Sequence, residues 1–201
     1  MFNKLFVLPV LMMFLVACSG APVKIDTAND SNGTVMGLDY RDFSEAAGAM
    51  VESILASGVV NHPDDGRYVL AISRITNDTM QRIDTDQLVK KIRVDLLRSG
   101  KVVVTTAISA NGAEDAMTYQ ARELRGNDEF EQERVSGKGQ LIAPDYSLSG
   151  KIIQRNNKVD RRNTQVDYYF QMTLTDIATG LAYWEDELPI IKRGSSKTVT
   201  W

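Results

Sequence analysis

Between Val166 and Thr175 the chain alternates without a break. Val166, Tyr168, Phe170, Met172 and Leu174 are apolar or aromatic, and Asp167, Tyr169, Gln171, Thr173 and Thr175 fall between them. Successive side chains of a strand point to opposite faces, so this pattern predicts a strand with one face on a core. Its neighbours follow suit. Asp145 to Gln154 reads as the preceding strand, Asp176-Ile-Ala-Thr-Gly180 as a turn, and Leu181 to Ile191 as the last strand. Pro189 and the acidic residues of that last strand mark a sheet edge, where a missing N–H is tolerated and charge discourages further pairing.

The first part of the chain has a different period. Phe43, Ala46, Ala47, Met50, Val51, Ile54 and Leu55 recur at helical spacing, with Asp42 and Glu45 spaced like a capping box and Gly58 as a stop. Leu88, Val89, Ile92 and Leu96 form a second stripe, capped by Asp84 and Gln87 and closed by Ser99-Gly100. A third helix is expected from Ala113, Ala116, Met117 and Leu124, followed by a charged stretch over 125–140 that reads as a solvated loop or frayed helix. Arg67 to Ile75 is apolar on both faces, hence a central strand, and Lys101 to Thr105 is a short one. The order α-β-α-β-α-β-β-β predicts an α+β fold, a mixed β-sheet covered by helices.

Composition narrows the chemistry. With 23 Lys and Arg against 26 Asp and Glu, the net charge of −3 gives no reason to expect nucleic acid as a partner. One Cys and one His exclude an internal disulfide, a Cys/His zinc centre and most imidazole-dependent catalysis. His62 lies in the turn Asn61 to Gly66 and reads as a solvated turn residue, while Asp84 and Asp86 read as the negative start of a helix. Ser136-Gly137-Lys138-Gly139 lacks the order of a phosphate loop, and no Gly-x-Ser-x-Gly is present. No catalytic residue, metal, cofactor or small-molecule substrate is expected.

The lone Cys carries more information by its position. Residues 1–17 place Lys4 before an apolar run from Leu5 to Val16, which is shorter than a membrane span needs. Leu15-Val16-Ala17-Cys18 resembles the signal box of bacterial lipoproteins, in which the Cys becomes the acylated first residue of the mature chain. Ser19 in place of Asp agrees with sorting to the outer membrane, facing the periplasm. Residues 18–38 then read as the lipidated Cys and a flexible tether of roughly 70 Å maximum reach, and 39–201 as a single globular domain.

One basic concentration lies between the first two strands of the last third: Arg155, Lys158, Arg161 and Arg162, with Lys151 nearby. It reads either as a solubilising loop or as a docking site for an acidic protein patch or anionic polymer. Tyr169 and Trp184 fall on strand faces where exposure would make them binding anchors.

Taken together, the signal box at Cys18 and several short motifs resemble the LpoB family, outer-membrane lipoproteins that activate penicillin-binding proteins. The motifs are strand Tyr68–Ile75 running into Thr76-Asn77-Asp78-Thr79, helix Thr85–Ser99 closing on Gly100-Lys101, Ala143 to Gly150, and Leu174 to Gly180 with Trp184. The resemblance implies a domain similar to the N-terminal domain of TolB and a class A penicillin-binding protein as partner. Two other roles stay open: a lipoprotein like that of the curli-secretion pore, and a structural component of another periplasmic machine.

Overall fold

A computed structural model describes residues 35–108 and 115–198. Helices α1 (Tyr40–Ala56), α2 (Asp86–Arg98) and α3 (Met117–Glu123) accompany strands β1 (Tyr68–Asp78), β2 (Val102–Val104), β3 (Tyr146–Lys158), β4 (Asn163–Asp176) and β5 (Ala182–Ser195). The sheet order is β2-β1-β3-β4-β5. β1 is parallel to both β2 and β3, and β3, β4 and β5 form an antiparallel meander. Parallel neighbours need a crossover. α2 supplies it between β1 and β2, and the long segment containing α3 supplies it between β2 and β3. The fold is α+β with a mixed sheet.

Both long helices lie on one face of that sheet. α1 buries Phe43, Ala46, Ala47, Met50, Val51 and Ile54, and α2 buries Leu88, Val89, Ile92 and Leu96. Against them the sheet presents Leu70, Ile72, Ile75, Leu148, Ile152 and the five alternating residues from Val166 to Leu174. Phe43 meets Phe170 edge to face, with ring centroids 6.1 Å apart. Close packing of this kind excludes even a methyl group at Gly150, where a Cβ would stand 2.6 Å from the Gln171 carbonyl oxygen.

β1 looks apolar on both faces because it changes phase. A bulge lies between Ile72, which pairs with Leu148, and Ile75, which pairs with Gly150. The extra residue returns Ile75 to the core although it lies three positions from Ile72.

Several local expectations need correction. The capping box at α1 uses Asp39 and Asp42, not Asp42 and Glu45: Asp39 accepts from the backbone of Arg41 and Asp42, and Asp42 Oδ2 accepts from Asp39 N–H at 2.7 Å. α2 starts at Asp86 with Thr85 as N-cap and no side-chain cap bond. Asp84 still contributes, since its Oδ1 accepts from Asp86 N–H at 2.9 Å. α3 buries nothing, and Met117, placed on its apolar face by the sequence, is exposed; part of that expected helix, 113–114, lies outside the described residues. β3 and β5 each run four residues past their expected ends. Finally, Met36 to Leu38, assigned to the tether, pack onto the domain: Met36 is buried, and a Cβ at Gly194 would come within 2.7 Å of its Sδ.

Candidate functional site

The longer β3 rearranges the basic segment. Arg155 and Lys158 belong to the strand, paired with Asp167 and Thr164, so only 159–162 form the hairpin loop. Arg155, Lys158, Arg161 and Arg162 are all exposed. The loop holds its shape through Asp160, whose carboxylate accepts from the backbone of Arg162 and Asn163 and from Asn163 Nδ2, at 2.7 to 2.8 Å. Those bonds keep the Asp160 carboxyl below the usual carboxylate range. None of the four cations has a carboxylate partner among the described residues. Lys151 does, pairing with Asp78 at 2.6 Å.

Tyr169 is half-buried on the face of the sheet away from the helices, and the Arg155 guanidinium carbon lies 5.9 Å from its ring centroid. This is within reach of a cation–π contact. Trp184 is elsewhere. It points to the opposite face, into the core, at 9% exposure, and its Nε1 donates to Ser53 Oγ at 3.2 Å on α1. Its place in the alternation of β5 turns it inward, so it is a packing residue and no surface anchor. Cys18 lies outside the described residues.

At the same end of the sheet the chain enters the domain, and here lies a polar cluster the sequence gives no hint of. Lys192 Nζ contacts Asp42 Oδ2 at 2.5 Å with both side chains below a tenth exposed, and also donates to the Gly37 carbonyl at 2.7 Å. Tyr168 Oη donates to the Met36 carbonyl at 3.0 Å and accepts from Gln81 Nε2, while Gln81 Oε1 accepts from Leu38 N–H. Burial, aided by the nearby Asp42 charge and opposed by the Gln81 bond, pushes Tyr168 up to about 12. The entering backbone is thus fastened by groups from β4, β5 and the β1–α2 loop. No spacing in the sequence could reveal this, because the partners lie up to 155 residues apart.

The opposite end holds His62, whose ring sits 4.8 Å from Tyr68, with Tyr68 in turn 4.9 Å from Tyr146. His62 Nδ1 accepts from Asp64 N–H. Burial first, then the neighbouring Tyr68, raises Tyr146 to about 12. Among the described residues no group of three His, Cys, Asp or Glu side chains is placed to hold a metal ion. The arrangement offers surfaces for binding and a fastened entry point for the chain.

A family model described as "Peptidoglycan-synthase activator LpoB" matches residues 42–190, from the start of α1 into β5. The chain belongs to the LpoB family. Among solved structures, the LpoB C-terminal domain of Salmonella enterica is 15% identical, with a TM-score of 0.46 over 74% of this chain and 98% of that one. The corresponding Escherichia coli domain is 16% identical, with a TM-score of 0.44 over 74% and 98%. The solution structure of Escherichia coli LpoB is 15% identical and extends to 96% of this chain and 94% of that one, with a TM-score of 0.44. No curated protein sequence matches significantly.

Proposed function

We propose that this LpoB-family chain is an outer-membrane lipoprotein, anchored in the periplasmic leaflet through lipid on Cys18, that binds and activates a class A penicillin-binding protein. The observation that carries the reading is the family match over residues 42–190, whose description names activation of a peptidoglycan synthase. Activation by a bound partner requires differential affinity: the activator holds the working conformation of the synthase more tightly than the resting one, and the ratio of affinities sets the gain. A factor of ten in activity-competent population corresponds to about 1.4 kcal/mol of that difference.

The protein acts by binding, with no chemistry of its own. The exposed, carboxylate-free cations Arg155, Lys158, Arg161 and Arg162 support docking against an acidic patch of the partner, and Tyr169 beside Arg155 supplies an aromatic contact. Several acyl chains at Cys18 give durable anchoring where one alone is marginal. The tether then begins at a fixed point on the domain, since Met36 to Leu38 are held by Tyr168, Lys192 and Gln81.

Two measurements test the reading. Cys18→Ala is expected to release the protein from the outer-membrane fraction; retention there contradicts the anchor. Titration of the purified protein onto the periplasmic region of a class A penicillin-binding protein from the same organism is expected to give saturable binding. Absence of binding contradicts the partner.

A further inference from the structure

β3, β4 and β5 carry a second face that α1 and α2 leave uncovered. Cross-strand pairing fixes what stands on it. Ile153, Tyr169 and Pro189 form one row, Arg155, Asp167 and Ile191 the next, and Asn157, Gln165 and Arg193 the one after. Ile191 is 58% exposed and Pro189 is exposed, with Ile153 and Tyr169 half-buried beside them. The apolar residues are therefore neighbours across three strands, in contact range of one another. None of the four belongs to the core cluster on the other side.

The charges around this centre differ between its two ends. Asp167 lies between Arg155 and Ile191, yet it is buried and its two oxygens are taken by Asn157 Nδ2 at 2.6 Å and Gln165 Nε2 at 2.8 Å. Arg193 donates to Gln165 Oε1 at 2.5 Å, and Arg155 lies over Tyr169. Both guanidinium groups are thus without a carboxylate among the described residues. At the other end Asp78 holds Lys151, while Glu187 and Glu185 keep their charge, accepting from the neutral Gln171 and Thr173. An aromatic and aliphatic centre with a free arginine margin is the composition of an interface core and rim.

We infer that this helix-free face, centred on Ile153, Tyr169, Pro189 and Ile191 with Arg155 and Arg193 at its margin, is the docking surface, and that its occupant is a protein surface with an apolar centre and an acidic border. The inference rests on the activator reading and refines it: the hairpin loop becomes the rim, steering the encounter, and the sheet face supplies the affinity.

The test compares two variants of the solubilised full-length lipoprotein, using the periplasmic region of the same organism's class A penicillin-binding protein as the probe. Ile191→Glu, at an exposed edge position that leaves the core untouched, is expected to weaken binding at least about tenfold, mainly through faster dissociation. Arg161→Ala with Arg162→Ala is expected to lose less than about fivefold, mainly in association rate and more at low salt. Wild-type affinity in Ile191→Glu together with a large loss in the loop variant overturns the face while leaving the activator reading intact. No binding by the wild-type protein overturns both. A wild-type dimer in sedimentation that Ile191→Glu dissociates overturns the inference in favour of self-association.

Discussion

Lys192 illustrates how far a single residue's role depends on its surroundings. In sequence it follows a strand that ends in exposed, edge-like residues. In the fold it is buried against Asp42 and the Gly37 carbonyl, where both charges are desolvated and must satisfy each other. Lys192→Met leaves Asp42 buried without a cation and is expected to cost about 3–5 kcal/mol in chemical denaturation; a loss under about 1 kcal/mol would contradict the pair's structural role. The tyrosines give a second residue-level expectation. Tyr168 and Tyr146 ionise only at about 12, against an ordinary value of 10. Their folded values lie above the unfolded ones, so their contribution is fully present below pH 10 and is lost as pH rises toward 12. Spectrophotometric titration of the seven tyrosines should show two that resist ionisation until the protein unfolds in that window; all seven titrating together near 10 would contradict it. Trp184 teaches the same lesson in reverse. Alternation alone says which residues share a face with it, but not which face of an edge strand turns inward.

At the level of elements, the sequence was a good guide wherever a pattern repeats locally. The stripes of α1 and α2, the alternation of β4, and the left-handed glycines Gly58, Gly100 and Gly180 that end α1, α2 and the β4–β5 turn all stand where the pattern puts them. Where one spacing fits two places, local reading fails. Asp39 with Asp42 and Asp42 with Glu45 are both three apart, and it is the first pair whose carboxylates exchange bonds with the free backbone donors of the helix start. Asp39→Ala is therefore expected to destabilise the protein by about 1 kcal/mol, while Glu45→Ala should change little; the reverse order would contradict the observed cap. Burial raises the Asp39 carboxyl, but its bonds to Arg41 and to the Arg41 and Asp42 backbone outweigh this and hold it below 3.8. Its contribution is present above the unfolded value and is lost as pH falls through the lower folded one, so the wild-type advantage over Asp39→Ala should shrink in acid. The ends of β3 and β5 were illegible for another reason. Polar residues such as Asn156, Asn157, Arg193 and Gly194 extend the ladder because their partners on β4 are already in place. α3 keeps the helical spacing that predicts an apolar face, but the fold gives that face no surface to meet.

For the molecule as a whole, what sequence could not supply is long-range juxtaposition. Nothing local pairs β1 with β3 in parallel, sets Met36 to Leu38 against β4 and β5, or gathers Arg155, Arg193 and the hairpin cations at the end where the chain enters. The basic residues and Tyr169 of the proposed docking surface stand out in the sequence; its proposed shape, a sheet face with the loop as its margin, needs the register. The family resemblance carried by short motifs such as Thr76 to Thr79 and Ser99-Gly100-Lys101 agrees with the family match over residues 42–190. In the proposed reading such a domain alters a synthase by preferring one of its conformations. That proposed preference has a direct readout in the rate of glycan-strand polymerisation by the same organism's class A penicillin-binding protein, measured against rising concentrations of this protein. The account predicts a saturable acceleration whose midpoint matches the binding constant. An unchanged rate at concentrations that saturate binding would contradict it.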